Sequence, residues 1–227
     1  MDAYGIAKLL DAAANLLGVL IWPAVIAYGF VRFAPNVGDF VSSLGEISLK
    51  GTGFEASAKR RQNEAAAALA AASVSRPEEG NTPEMVANAA KEAVQLVGDI
   101  SPRNLRRIDD SRVLWVDDNP DNNAYERQAL EALGMRFVLS ISTDDALDKV
   151  RTQKFDVIIS DMGRPPDPRA GYSLLDKLRA LGDRTPFIIY AGSRSPEHQA
   201  EARRRGAVGC TNRATELFAM VLSALER

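Results

Sequence analysis

From Arg112 onward, short apolar runs alternate with amphipathic stretches. RVLWV, MRFVLSI, FDVIIS, PFIIY and AVGC read as five short buried strands. Between and after them lie helical patterns: Ala124–Leu133 stopping at Gly134, Asp144–Arg151, Tyr172–Leu181 closed by Gly182, Pro196–Arg205 closed by Gly206, and Ala214–Leu225. This alternation predicts an α/β fold. Its centre is a five-stranded parallel sheet, doubly wound by right-handed crossovers and covered on both faces. In such a sheet the ligand crevice opens at the carboxyl ends of the strands.

The amino-terminal half has a different pattern. Ala12–Val31 is a run of twenty residues without a formal charge, bracketed by Asp11 and Arg32. As a helix it would be about 30 Å long, the thickness of a bilayer's hydrocarbon core. Tyr28, Phe30 and Phe33 gather at its carboxyl end like an interfacial belt, and basic residues from Arg32 to Arg61 outnumber the lone Lys8 before it. The expectation is a single-pass anchor within residues 1–33, in the inner (plasma) membrane, with everything after it cytoplasmic. A buried or oligomerising helix and a cleaved signal peptide are the alternatives.

Residues 34–110 read as a connecting region that is mostly helical. Glu46–Leu49 and Phe54–Ala56 flank a Lys50-Gly51-Thr52-Gly53 turn as a small hairpin. Residues 57–73 have high helix propensity and an alanine face with little to bury in a monomer, which suits a stalk or a homo-oligomer. SRPEEGNTP (75–83) is a linker, after which Thr82 and Pro83 start a helix with a stripe at Met85, Ala89, Ala93 and Leu96. The clusters Lys59-Arg60-Arg61 and Arg103, Arg106, Arg107 suit anionic lipid or a solvated surface.

Composition narrows the function. The chain has 227 residues, 46% hydrophobic and 26% charged, an ordinary globular balance. A net charge of −2 gives no field for nucleic acid, so no nucleic-acid partner is expected. One cysteine, Cys210, and one histidine, His198, leave no disulfide and no zinc cluster. His198 sits in a charged helix and reads as surface, and Trp115 reads as packing within the first strand.

The chemistry-bearing residues stand at strand ends. Asp117 and Asp118 follow the first strand and Asp161 follows the third, and in a 2-1-3-4-5 sheet these ends are neighbours. Three clustered carboxylates repel unless a cation sits among them, and hard oxygen ligands suit Mg²⁺. The plainer alternative is that Asp117 and Asp118 cap the following turn.

With VLWVDD, IISDM, Gly171 and Gly206-Ala207 in place, residues 111–227 resemble a response-regulator receiver domain, a flavodoxin-like fold. The resemblance implies that Asp161 is the phosphoacceptor and that Asp117, Asp118 and Asp161 hold Mg²⁺. It also implies a histidine kinase or phosphotransfer protein as partner. Three positions depart from the family. Ala191 stands where it has Thr or Ser, Arg213-Ala214 where it has Lys-Pro, and Cys210 where it has an aromatic switch. Ala191 and Arg213 are expected to line the pocket. The loop from Gly163 to Arg169 is long and proline-rich, with two arginines near the acids.

The expected protein is a membrane-anchored, non-enzymatic signalling protein with a degenerate receiver, touching a protein partner, lipid and a second copy of itself. Two other readings stay open: an oligomeric membrane effector gated by the receiver-like domain, and a metal-dependent phosphohydrolase.

Overall fold

The computed structural model describes residues 53–75, 83–192 and 195–226. The expected membrane segment 12–31, the strand 46–49 with its turn, the linker residues 76–82 and Ser193 lie outside them. Among the described residues no helix is long and apolar enough to cross a membrane.

Five strands form one parallel sheet: β1 (Arg112–Val116), β2 (Arg136–Ser140), β3 (Val157–Ser160), β4 (Phe187–Tyr190) and β5 (Gly209–Thr211), in the order β2-β1-β3-β4-β5. Register pairs Val116 with both Ser140 and Ser160. Among the described residues three helices precede the sheet, α1 (Gly53–Ser75), α2 (Pro83–Gly98) and α3 (Pro102–Ile108). Five follow its strands: α4 (Ala124–Glu131), α5 (Thr143–Thr152), α6 (Ala170–Ala180), α7 (Pro196–Arg204) and α8 (Ala214–Leu225).

Alternation along each strand sorts the side chains into two cores. Leu114, Val116, Ile158, Phe187, Ile189 and Cys210 face α5, α6 and α7 through Leu147, Leu174, Leu175, Leu178 and Ala202. Val113, Trp115, Val157, Ile159, Ile188 and Tyr190 face Leu130, Leu133, Leu217, Phe218 and Val221. Trp115 is packing, as expected: it is buried, with Tyr190 edge-on at a centroid distance of 6.0 Å.

The second core does not stop at the sheet domain. Ala65, Ala66, Leu69 and Ala72 of α1 and Ala93 and Val97 of α2 belong to it, and Thr52–Arg227 forms one compact unit. Small side chains let α1 lie close to α2 and α4, so the alanine face is covered by the chain itself rather than left for a second copy. Arg61 fixes the position. Its Nε donates to Ala132 O at 3.2 Å, and Nη2 donates to Leu133 O and to Asp109 Oδ1 at 2.7 Å. The carbonyls it meets are those left open at the end of α4.

Two local expectations are corrected. Phe54–Ala56 are not a strand but the first turn of α1, because the alanine-rich run of good helix formers extends back to Gly53. Pro102–Ile108, given no element of its own, is a helix: Ser101 Oγ accepts from Asn104 N at 3.2 Å as its cap, and Leu105 and Ile108 bury one side.

Candidate functional site

The ladder that aligns β1 with β3 brings their carboxyl ends together. Asp161 N donates to Val116 O at 2.9 Å, and Asp117 N donates to Ser140 O at 2.9 Å. Asp117, Asp118 and Asp161 therefore leave adjacent strands at the crevice that the topology predicts.

Their environments differ. Asp117 is buried, and both its oxygens are engaged: Oδ1 accepts from Asn119 N at 2.8 Å and Oδ2 from Asn123 Nδ2 at 2.5 Å. Asp118 is exposed at the rim. Asp161 is half-buried, and burial pushes its carboxyl above the ordinary aspartate value. The N–H of Met162 pulls it down, Asp117 and Asp118 push it up, and Arg164 pulls it down.

Arg164 is the member of the site that sequence reasoning missed. The arginines of the long loop were visible there, but only the fold turns this one inward. Its Nη1 donates to Ser160 Oγ at 2.8 Å and to the main-chain oxygen of Asp161 at 2.7 Å, with a longer contact to Val116 O at 3.4 Å. Nη2 donates to Thr143 Oγ1 at 3.1 Å. The loop is clamped behind it by Arg164 N to Asp167 O at 3.0 Å and Asp167 N to Arg164 O at 2.8 Å. Asp167 in turn accepts from Arg169 N and Ser173 Oγ, which ties the loop to α6.

The two expected pocket-lining residues fare differently. Ala191 is buried at the end of β4, its N–H donating to Thr211 O at 3.0 Å, and its methyl offers no hydrogen-bond donor. Arg213 is half-exposed and meets Glu216 at 3.4 Å and Glu92 of α2 at 3.5 Å. Its charge is spent on these two acids rather than on the aspartates. Glu92 lies outside the stretch that resembles a receiver, so nothing there signals the pairing. Cys210 is buried in β5, and burial pushes its thiol up, so it acts as a small apolar residue. His198 is exposed on α7.

Whether Mg²⁺ fits can be judged from these contacts. Carboxylate oxygens are the right chemistry for it. The arrangement suits it less: each Asp117 oxygen already accepts one hydrogen bond, and a buried guanidinium already places positive charge beside the acids. Among the described residues no three acidic groups converge as a metal site. As folded, the pocket is not the ready cage that the acidic triplet suggests.

The family model described as the response regulator receiver domain matches residues 113–220, and this segment is a receiver domain. The virulence sensor protein BvgS of Bordetella pertussis is 35% identical over 101 residues, 42% of this chain and 8% of that protein. The sensor histidine kinase RcsC of Escherichia coli is 28% identical over 109 residues, 48% of this chain and 11% of the kinase. The chain thus spans about a tenth of the length of these relatives. Among solved structures, the Francisella response regulator 1452 receiver domain is 26% identical with a TM-score of 0.48, covering 52% of this chain and 98% of that one. CheY4 of Vibrio cholerae is 27% identical with a TM-score of 0.43, covering 52% and 98%.

Proposed function

We propose that this protein is a signalling component in which the receiver domain accepts a phosphoryl group on Asp161 from the phosphohistidine of a partner and passes the change to other proteins. The observation that carries the reading is the place of Asp161. It is a half-buried carboxyl at the carboxyl end of the central strand β3, in the crevice of a doubly wound sheet. The similarity of residues 113–220 to receivers, including those of sensor histidine kinases, supports it.

One Oδ of Asp161 attacks phosphorus. The P–O bond forms as the P–N bond to the donor imidazole breaks, and that nitrogen keeps the bonding pair and takes a proton from water. The product is an acyl phosphate. Asp161 supplies the nucleophile, and the Met162 N–H holds its carboxylate. Asp117, fixed by Asn119 and Asn123, sets the shape of the wall beside it.

Residues 12–31 anchor the chain in the inner membrane as a single pass, with the receiver on the cytoplasmic side. Anionic lipid is its further partner. The charge-free run Ala12–Val31 and the basic residues after it support this.

The test uses the full chain and a phosphotransfer protein labelled on histidine. Label should move to the wild-type chain as an alkali-labile acyl phosphate and stay on the donor with Asp161→Asn. Equal labelling of both chains, or of neither, contradicts the proposal.

A further inference from the structure

Arg164 poses an electrostatic question. Its side chain is only 3% exposed, and buried charges in proteins are ordinarily paired with an opposite charge at contact distance. Here every hydrogen bond of the guanidinium goes to a neutral acceptor: two main-chain oxygens, the Ser160 hydroxyl and the Thr143 hydroxyl. Nε is buried with no acceptor at all. What opposes the cost of burying this cation is the field of the nearby acids Asp161, Asp117, Asp118 and Asp167, the guanidinium itself lying against the main-chain oxygens of Asp161 and Val116.

The dependence runs both ways. Three carboxylates at neighbouring strand ends repel one another, and that repulsion is least screened at the buried Asp117. Arg164 draws Asp161 back toward its ionised form while the other two acids push against it. The main-chain pair between Arg164 and Asp167 fixes the loop, and the guanidinium is held by its own bonds to Ser160, Asp161 O and Thr143.

We infer that Arg164 is the built-in counter-ion of the acidic pocket: its guanidinium does the charge-balancing that a divalent cation would do, and it makes the pocket a weak site for such a cation. The pocket then keeps its shape in the absence of metal. A divalent ion entering among these acids meets the buried positive charge of Arg164, and each Asp117 oxygen it could use is already shared with Asn119 or Asn123.

The test is thermal unfolding of the full chain with EDTA or with Mg²⁺, for the wild type, Arg164→Met and Arg164→Lys. A ligand that binds only the folded state raises Tm in proportion to its affinity, and saturating Mg²⁺ at about a hundred times its dissociation constant would give a shift of several degrees. The wild type should shift by less than about 1 °C at about 10 mM Mg²⁺, Arg164→Lys should behave like it, and Arg164→Met should be less stable in EDTA and regain several degrees with Mg²⁺. By calorimetric titration Arg164→Met should bind Mg²⁺ at least about tenfold tighter than the wild type.

A wild-type shift equal to or larger than that of Arg164→Met overturns the inference. If Arg164→Met does not fold, the wild-type titration decides alone: a dissociation constant for Mg²⁺ tighter than about 10 mM overturns the inference, and a weaker one upholds it. None of these readouts involves phosphoryl transfer, so they stand or fall separately from the role of Asp161.

Discussion

Arg164 Nη1 donates to the main-chain oxygen of Asp161 at 2.7 Å, so the buried cation of the pocket is fastened to the backbone of the residue whose carboxyl is to react. The carboxyl itself is left with the Met162 N–H and with the competing fields of one arginine and two aspartates.

The balance of those fields has a sign. Burial raises the Asp161 carboxyl above its ordinary value, so on acidification it takes up its proton at a higher pH than a free aspartate. The protonated acid is a poor nucleophile. Phosphoryl acceptance should therefore decline with falling pH, beginning above the usual aspartate range, and a rate–pH profile checks this. For stability the same shift favours folding below the ordinary aspartate value. That contribution is lost as pH rises through the raised one.

Gly171 touches the acceptor's backbone. A Cβ there would lie 2.8 Å from Asp161 O and 3.1 Å from Met162 Cα, and main-chain atoms give way poorly. Gly171→Ala should displace Asp161 by a fraction of an ångström and slow phosphoryl acceptance by about 10- to 100-fold in a folded protein. A full-rate Gly171→Ala chain would show that the carboxyl's position is not set from this side.

Leu69 tests whether the amino-terminal helices are part of the receiver's core. It is 1% exposed in the cluster that includes Leu130, Phe218 and Val221. Leu69→Ala should lower stability by about 2–4 kcal/mol in a single denaturant transition. An unchanged receiver transition would mean that α1 is an independent stalk.

Tyr190 Oη donates to Glu126 Oε1 at 2.8 Å, and both side chains are 3% exposed. Tyr190→Phe removes this bond from a buried carboxylate and should cost about 1–3 kcal/mol without altering the sheet, as measured by denaturant midpoint and circular dichroism.

The sheet was legible because its strands are short apolar runs and its helices stop at glycines whose backbone needs the left-handed region. Gly134, Gly182 and Gly206 have φ of 98°, 80° and 91°. The fifth strand lies farther along than its apolar run suggests, at Gly209–Thr211. Thr211 is fully buried there because its hydroxyl donates to Glu216 Oε2 at 2.5 Å. Such a partner on α8 cannot be read from periodicity. The three aspartates were legible from their places at strand ends. Arg164 was not, because whether a loop arginine points to solvent or folds under depends on contacts with Thr143 and Ser160 that are remote or ambiguous in sequence. The alanine face of α1 shows in sequence that something packs closely there, but not that its partners are α2 and α4 of the same chain.

The most direct test of the account is intact mass. The full chain with Mg²⁺ and a small acyl phosphate donor is compared with Asp161→Asn. The account predicts one added phosphoryl group on the wild type and none on the variant. No addition to the wild type, or the same addition to both, would contradict the assignment of Asp161 as the reactive carboxylate.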